Sequence, residues 1–125
     1  MIPYGRQEIT QDDIDMVSNV LTSDFLTQGP MVPRFEQSVC DLTGAHFATA
    51  VNSATSALHL ACVALGLQQG DWLWTSPNTF VASANCALYC GAKVDFVDID
   101  VDTFNICPDA LEQKLIQAQL KGTLP

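Results

Sequence analysis

The sequence has few basic residues and no long apolar run. Its 125 residues contain 5 lysines and arginines against 14 aspartates and glutamates, which gives a formal net charge of −9. A surface with this charge repels nucleic acids and anionic membranes, so neither is expected as a partner. No apolar stretch reaches the roughly 20 residues of a membrane-spanning helix, and the N-terminus lacks the pattern of a signal peptide, so we predict a cytoplasmic location.

The spacing of the five cysteines and two histidines does not fit the common metal-site and disulfide patterns. No C-x-x-C pair occurs, and the histidines are not grouped with the cysteines. Cys86 and Cys90 lie one helical turn apart, but a third and a fourth ligand for zinc are missing from the sequence around them. We therefore predict no metal site and no disulfide framework, and we interpret the cysteines as buried free thiols.

The residues that are present indicate a folded domain. Hydrophobic residues make up 48% of the chain and charged residues 15%, which is typical of a globular protein with a core. Residues Thr10 to Ser23 carry the apolar stripe of an amphipathic helix, with Thr10 as its N-cap. After a loop marked by glycine and proline, a second helix is predicted from about Val32 to Leu42, closed by Gly44.

Strand and helix patterns then alternate to the end of the chain. Strands are predicted at residues 46–51, 71–76 and 93–99, and helices at 54–65, at 79–90 and from Pro108 onward. This alternation predicts an α/β fold of three layers, in which a largely parallel sheet lies between helices. A sheet of three strands would keep an open edge. We therefore expect the chain to be the front part of a longer polypeptide, and the open edge to favour self-association.

The stretch VNSATSALHLA, residues 51–61, joins the first predicted strand to the next helix. The first N–H groups of a helix have no intrahelical acceptor, and together with the helix dipole they attract anions. Ser53 and Thr55 add hydroxyl groups here, and the small Ala54 allows an anion to approach closely. The junction is either a phosphate site or a helix start that Asn52 or Ser53 caps, and these residues by themselves favour the cap.

The stretch SPNTFVASANC, residues 76–86, repeats this design after the second predicted strand. Thr79 is the expected helix cap. Phe80 would face either the core or the crevice at the carboxyl ends of the strands, where ligands bind in such sheets. Asp98 and Asp100 follow the third strand on one face, as an acid–base pair would, but hydrogen bonds within a turn are the favoured interpretation.

Five blocks of the sequence, in this order and spacing, resemble the DegT/DnrJ/EryC1/StrS family of sugar-nucleotide aminotransferases. The blocks are SDFLTQGPMVPRFE, VNSATSALHLA, GDWLWTSPNTFVASANC, GAKVDFVDID and FNI, and they span nearly the whole chain. The resemblance implies the type I fold of pyridoxal-phosphate enzymes, with residues 1–125 forming an N-terminal arm and the front part of the large cofactor-binding domain. The stretches IPYGRQ, NSATSAL and TFVASAN are most similar to the branch of the family that serves pseudaminic acid biosynthesis.

The resemblance also implies roles for particular residues. Ala54 and Thr55 would hold the phosphate of pyridoxal 5′-phosphate, and Phe80 would stack on its pyridine ring. The residues implied for the sugar nucleotide are Tyr4, Asp24, Phe25, Leu26 and Thr27, with Ala54 also lining the pocket. The loop that contains Phe25 would act at the interface of a homodimer.

The implied reaction moves an amino group from glutamate to a 4-keto-6-deoxy UDP-sugar during the biosynthesis of cell-surface glycans. The family's Schiff-base lysine lies beyond the end of this chain, and Lys93, Lys114 and Lys121 match no part of its motif. We therefore expect this chain alone to be inactive. The sequence leaves open a dehydratase of the same family, a non-catalytic module that binds phosphate or nucleotide, and a truncated structural remnant.

Overall fold

The computed structural model describes residues 5–125. Within these residues the elements follow the order α1 (Gln11–Leu21), α2 (Met31–Thr43), α3 (Ala54–Ala64), β1 (Trp72–Thr75), α4 (Ala82–Tyr89), β2 (Lys93–Phe96) and α5 (Pro108–Lys121). The residues up to Ala50 and the residues from Val51 onward form two separate compact units, and each is described by itself. Across residues 5–125, no helix combines the length and the hydropathy needed to cross a membrane.

Helix α1 begins where its sequence predicts. The Thr10 hydroxyl accepts a hydrogen bond from the Asp13 N–H at 3.4 Å, and the Asp13 carboxylate accepts one from the Thr10 N–H at 2.8 Å. This capping box satisfies two N–H groups for which the helix itself has no acceptor. Hydrogen bonds from the Thr10 N–H and hydroxyl also hold the pKa of Asp13 below its usual value.

Helix α2 ends at Gly44, as predicted, because Gly44 adopts the left-handed conformation with φ 74° that closes many helices. Neither α1 nor α2 contains a buried residue. The strand predicted at residues 46–51 is wrong, since this segment pairs with no strand in the described part of the chain. The Ala50 N–H donates instead to Glu36 Oε1 at 2.8 Å, so a side chain provides the acceptor that a neighbouring strand would have provided.

The second unit is built on a parallel strand pair. β1 and β2 pair in register from Trp72 opposite Lys93 to Thr75 opposite Phe96. Helix α4 connects the two strands and packs on both of them, and α3 packs along α4. The parallel strand and helix arrangement is confirmed, but two of the three predicted strands form within residues 5–125.

The core of this unit consists of small side chains. Its buried members are Cys62, Ala82, Cys86, Ala87, Ala92, Val97 and Ala118. Cys62 of α3 lies against Cys86 of α4, and its burial together with that neighbouring thiol raises the pKa of Cys62 to about 11. Cys62 is therefore a protonated packing residue at neutral pH, and all five cysteines are free.

Helix α5 is anchored on the strand pair by Lys114. Its ammonium group donates to the Phe96 carbonyl at 2.6 Å, forms an ion pair with Asp95 and lies 4.9 Å from the centre of the Trp74 ring. The hydrogen bond from Lys114 lowers the pKa of Asp95, and the Phe96 N–H adds to this effect. Trp72 and Trp74 lie on one face of β1, and with α5 they line an open groove of about 450 Å³.

Candidate functional site

Helix α3 begins at Ala54, and Ser53 is its N-cap. The Ser53 backbone is extended, and its hydroxyl accepts a hydrogen bond from the Ser56 N–H at 3.2 Å. The Ser56 hydroxyl in turn donates to Asn52 Oδ1 at 2.7 Å. The sequence leaves two candidates for the cap, Asn52 and Ser53, and the structure shows that Ser53 caps the helix. Asn52 accepts a hydrogen bond from the first turn with its side chain.

This cap leaves the first two N–H groups of the helix available. Among residues 5–125, the Ala54 N–H, the Thr55 N–H and the Thr55 hydroxyl make no hydrogen bond. Ala54 is exposed, Thr55 is half-buried, and the first turn of α3 holds no acidic residue. Two N–H donors, one hydroxyl and the positive end of a helix dipole together suit a phosphate group. Capping and anion binding are therefore compatible here, because they use different N–H groups.

Helix α4 begins later than its sequence predicts. Its N-cap is Val81, so the prediction of Thr79 as the cap is wrong. The Ser76 hydroxyl accepts the Asn78 N–H at 3.3 Å, which extends the turn after β1, and the Thr79 hydroxyl then meets the Ser83 hydroxyl at 3.0 Å. Phe80 consequently lies in the turn ahead of the helix. Its side chain is 74% exposed, so the ring does not belong to the core.

The starts of α3 and α4 belong to the same packed unit. The His59 ring of α3 contacts the Tyr89 ring of α4 edge-on, with centroids 5.3 Å apart and an angle of 65° between the planes. His59 therefore contributes to the packing of α3 on α4. Ala54 and Thr55 thus begin α3, Phe80 lies in the turn before α4, and the two helices pack against each other.

The predicted substrate residues Asp24, Phe25, Leu26 and Thr27 form the bend between α1 and α2, in the first unit. All four are exposed, and their loop turns sharply at Gln28, which has a φ of 53°. Gly29 packs directly on this bend. A Cβ atom at Gly29 would lie 2.7 Å from the Cβ atom of Phe25, which is closer than two carbon atoms can approach. Tyr4 lies outside the described residues.

The acidic pair after β2 organises a turn. Asp100 Oδ1 accepts hydrogen bonds from the N–H groups of Asp102 at 3.1 Å and Thr103 at 2.8 Å, and Asp98 Oδ1 accepts the Ile99 N–H at 2.8 Å. These bonds, chiefly those from Thr103, lower the pKa of Asp100. The turn interpretation is confirmed, since both carboxylates are used to hold backbone N–H groups.

The same turn forces Phe104 into the left-handed region, with a φ of 59°. The Phe104 N–H donates to the Asp100 carbonyl at 2.9 Å, and the Asp100 N–H donates to the Asn105 carbonyl at 2.8 Å. Ile99 and Ile106 form an antiparallel bridge just outside these bonds. A phenylalanine with positive φ is strained, so the surrounding hydrogen bonds must stabilise this conformation.

A cavity of about 380 Å³ opens at the carboxyl end of β1. The turn after β1 supplies one wall, including Asn78 and Thr79, and the segment of Phe104 and Asn105 supplies the other. No role was predicted for Phe104 or Asn105, although the block FNI contains both. The strained backbone at Phe104 depends on hydrogen bonds within the turn from Asp100 to Asn105, and the residue types do not show how this turn closes.

Comparisons with known proteins match nearly the whole chain. The profile of the DegT/DnrJ/EryC1/StrS aminotransferase family matches residues 7–125. The chain belongs to this family. Among curated members, the UDP-4-amino-4,6-dideoxy-N-acetyl-beta-L-altrosamine transaminase of Campylobacter jejuni is 47% identical over 117 residues, which are 94% of this chain and 31% of that protein.

Solved structures of family members show the same fold. Spr1654 from Streptococcus pneumoniae, in its PLP form, has a TM-score of 0.83 and 34% identity, over 90% of this chain and 29% of that chain. The aminotransferase PseC of Helicobacter pylori, involved in the biosynthesis of pseudoaminic acid, has a TM-score of 0.82 and 35% identity, over 89% of this chain and 30% of that chain. The predicted fold, the front part of a type I aminotransferase, is thereby confirmed. The chain spans about a third of the length of the curated relatives that it matches.

Proposed function

We propose that this chain is the N-terminal part of a pyridoxal-phosphate aminotransferase that moves an amino group from glutamate to a 4-keto-6-deoxy UDP-sugar. The observation that carries the proposal is the start of α3, where the N–H groups of Ala54 and Thr55 are free in a chain of this aminotransferase family. The name of the Campylobacter jejuni relative supports an amino-dideoxy UDP-sugar as the product. That of Helicobacter pylori PseC supports a pathway of the pseudaminic acid type.

The residues at this helix start suit the phosphate of the cofactor. Helix α3 contains no lysine, arginine, aspartate or glutamate, so its N–H groups and its dipole act on the phosphate without competition from a side-chain charge. The methyl group of Ala54 leaves room for an oxygen atom to approach the backbone. Thr55 adds a hydroxyl donor beside it.

Phe80 is the proposed partner of the pyridine ring. An exposed phenyl ring in a turn offers a flat apolar face, which would orient an aromatic ligand and exclude water from one side of it. Bound pyridoxal phosphate would supply an electron sink for the reaction at the carbon that carries the amino group. The contribution of this chain is therefore to bind and orient the cofactor.

Neither Lys93 nor Lys114 is placed to serve as the lysine that bonds the cofactor. Lys114 is held by Asp95 and the Phe96 carbonyl, and Lys93 lies 5.1 Å from the centre of the Trp72 ring. Lys93 also begins β2, at the opposite end of the parallel pair from the turn that carries Phe80. The chain alone is accordingly expected to bind the cofactor without bonding to it.

The bend from Asp24 to Thr27 is the proposed contact with the sugar nucleotide. Its exposed Phe25 and Leu26 provide apolar surface and its Asp24 and Thr27 provide polar groups, as recognition of a sugar nucleotide requires. We assign the same bend to the interface of a homodimer, where it would serve the site of the neighbouring subunit. Tyr4 is proposed as a further contact with the substrate.

The cofactor proposal is tested by titrating the chain with pyridoxal phosphate and following the phosphorus resonance. Thr55→Val removes the hydroxyl donor and keeps the shape of the side chain. Loss of one hydrogen bond to a charged group costs about 1.5 to 3 kcal/mol, so the dissociation constant should rise roughly tenfold to a hundredfold. The matched control is Thr123→Val, an exposed threonine after α5, which should bind like the parent chain.

Two further measurements complete this test. Borohydride added to the mixture should leave all three lysines unlabelled by mass spectrometry, and a label on any of them would contradict the assignment made above. The polypeptide encoded by the whole reading frame should transfer nitrogen from glutamate to the keto sugar, and Thr55→Val should impair that transfer. Equal affinity of the parent chain and Thr55→Val for pyridoxal phosphate would refute the phosphate site.

A further inference from the structure

The groove between β1 and α5 extends to the amino end of β1. Trp72 is the first residue of this strand, and the turn that carries Phe80 follows the opposite end. The face of β1 with Trp72 and Trp74 forms one wall of the groove, and α5 forms the other. Its volume of about 450 Å³ is in the range of sites for small molecules. The polar residues of the α5 wall are Gln113, Lys114, Gln117 and Lys121.

This groove is a basic region of an acidic chain. Lys114 and Lys121 line it, and the Lys93 ammonium group lies 5.1 Å from the centre of the Trp72 ring. The carboxylate that lines the groove, Asp95, is already paired with Lys114. In the described part of the chain, neither Lys93 nor Lys121 pairs with a carboxylate. Because salt screens charges that are more than about 8 Å apart, these two ammonium groups attract an anion despite the net charge of −9.

The groove also presents polar groups that the protein itself does not use. Within residues 5–125, neither tryptophan indole N–H makes a hydrogen bond, and neither does the side-chain amide of Gln113 or Gln117. Each amide provides two donors and one acceptor, and each indole provides one donor. This set of free groups suits a ligand that carries several hydroxyl groups.

Trp72 and Trp74 add flat apolar surface between these polar groups. Both side chains are half-buried, so the strand holds each ring while part of it stays exposed. A sugar ring has an apolar face of C–H groups and a rim of hydroxyl groups. It therefore packs on an indole ring while its hydroxyl groups reach the amides. A peptide has few hydroxyl groups and would leave more of these amides unpaired.

We propose that the groove between β1 and α5 binds a sugar that carries one anionic group, either a carboxylate or a phosphate. The indole rings pack on the sugar ring, Gln113 and Gln117 bind its hydroxyl groups, and Lys93 and Lys121 attract its charge. This site is separate from the proposed cofactor site at the start of α3, and it does not rest on the proposed aminotransferase reaction.

Tryptophan fluorescence measures binding at this groove, because both tryptophans of the chain line it. Titration with glucuronic acid or with glucose 1-phosphate should change the emission and shift the indole N–H resonance of Trp72. The tighter of these two ligands identifies the anionic group. Glucose should bind about fivefold more weakly, because it lacks the charge that Lys93 and Lys121 attract.

Two variants of exposed residues test the α5 wall. Gln117→Ala should raise the dissociation constant of the acidic sugar about threefold to tenfold, since it removes hydrogen bonds to hydroxyl groups. Lys121→Met should raise it about twofold to fivefold and leave the affinity for glucose unchanged. Alanine and methionine favour helices, so α5 should keep its structure. Gln119→Ala is the matched control, because Gln119 is exposed on α5 and does not line the groove.

Several outcomes would overturn the proposal. Emission and a Trp72 resonance that stay unchanged with both acidic sugars would exclude the site. Equal affinity for glucose and the acidic sugars, or equal affinity of Gln117→Ala and Gln119→Ala, would refute the assigned contacts. Acetate that binds as tightly as glucuronic acid would reduce the groove to a site for any carboxylate. A triglutamate peptide that binds more tightly than either sugar would assign the groove to an acidic protein partner instead.

The cofactor site and the groove fail in distinguishable ways. Gln117→Ala should bind pyridoxal phosphate normally, because Gln117 lies on α5 and the proposed phosphate site lies at the start of α3. Thr55→Val should likewise bind the acidic sugar as the parent chain does. Loss of sugar binding alone would count against the groove, and loss of cofactor binding alone would count against the phosphate site.

Discussion

Gly29 is the residue on which the bend from Asp24 to Thr27 depends. Its φ is not in the left-handed region, so the requirement for glycine is not one of backbone conformation. The requirement is steric, because a Cβ atom would lie 2.7 Å from the Phe25 Cβ atom and 3.2 Å from the Phe25 carbonyl oxygen. These are atoms on or next to the backbone, and they cannot move without moving the bend itself.

Gly29→Ala should therefore displace the bend and destabilise it by about 1 to 3 kcal/mol, the usual cost of forcing a methyl group into occupied space. Chemical denaturation measures the loss, and changed resonances of Phe25 and Leu26 locate it. Gly5→Ala is the matched control, because a Cβ atom at Gly5 meets nothing within 4 Å. If both alanine variants have the stability of the parent chain, the steric argument is wrong.

Single residues also show how far the sequence can be interpreted. Thr10 and Gly44 were placed correctly, because capping hydroxyls and left-handed glycines act within one helical turn of themselves. The cap of α3 was narrowed to Asn52 or Ser53 by the same local rule, and Ser53 is the cap. Thr79 was misplaced, because its hydroxyl has a competing partner in Ser83 that depends on how the preceding turn closes. Local hydrogen bonds were predictable, and competition between them was not.

At the scale of elements, α5 illustrates how a helix with little buried surface is held. Ala118 is the buried residue of α5, while Ile116 is 52% exposed and Leu115 is 38% exposed. Lys114 supplies the contacts that orient the helix, namely the ion pair with Asp95 and the hydrogen bond to the Phe96 carbonyl. The attachment of α5 therefore depends on a polar group more than on apolar packing.

Lys114→Met keeps the length of the side chain and removes its charge. We expect the amide hydrogens of α5 to exchange faster, with a loss of up to about 1 kcal/mol, because partly exposed ion pairs contribute little. Lys121→Met on the same helix is the control and should leave exchange unchanged. Protection of α5 that does not differ between parent chain and Lys114→Met would contradict this account.

The pKa of Asp95 determines how the stability contributed by the Lys114–Asp95 ion pair changes with pH. Its pKa is lowered from 3.8 in the folded chain, so the ion pair is complete above that value and is lost as the pH falls through the lower, folded value. Lysine stays protonated well above neutral pH. The difference in the protection of α5 from amide exchange between the parent chain and Lys114→Met should thus be constant between about pH 5 and pH 8.

Elements were predicted best where their pattern is local and worst where they need a partner. The helix stripes and the positions of α3 and α5 follow from spacing along the chain. The apolar segment 46–51 has the composition of a strand, but a strand exists only where a second strand supplies its hydrogen bonds. Likewise, the cavity between Asn78 and Asn105 joins segments that are distant in sequence, so no spacing rule reveals it.

At the scale of the whole molecule, net charge and exposed apolar surface have opposite effects on the association of copies of the chain. Large apolar side chains are exposed in both units, among them Leu42 at 87%, Phe47 at 90% and Leu65 at 87%. Such surface favours association between copies. The net charge of −9 opposes it by repulsion at neutral pH.

Association should therefore increase as the pH approaches the isoelectric point of about 4.2, where the repulsion disappears. Sedimentation velocity at several concentrations, at pH 7 and near pH 4.2, measures the change. The paired variant Leu42→Ser, Phe47→Ser keeps the charge and should reduce association at the lower pH. A chain that stays monomeric near pH 4.2 at all concentrations would contradict this balance.

The contact between α3 and α4 has a consequence for the substitutions that the two helices tolerate. Cys62 of α3 meets Cys86 of α4, and the His59 ring of α3 contacts the Tyr89 ring of α4. A larger side chain at either cysteine would force these helices apart, so two residues that touch no ligand limit how closely α3 and α4 pack.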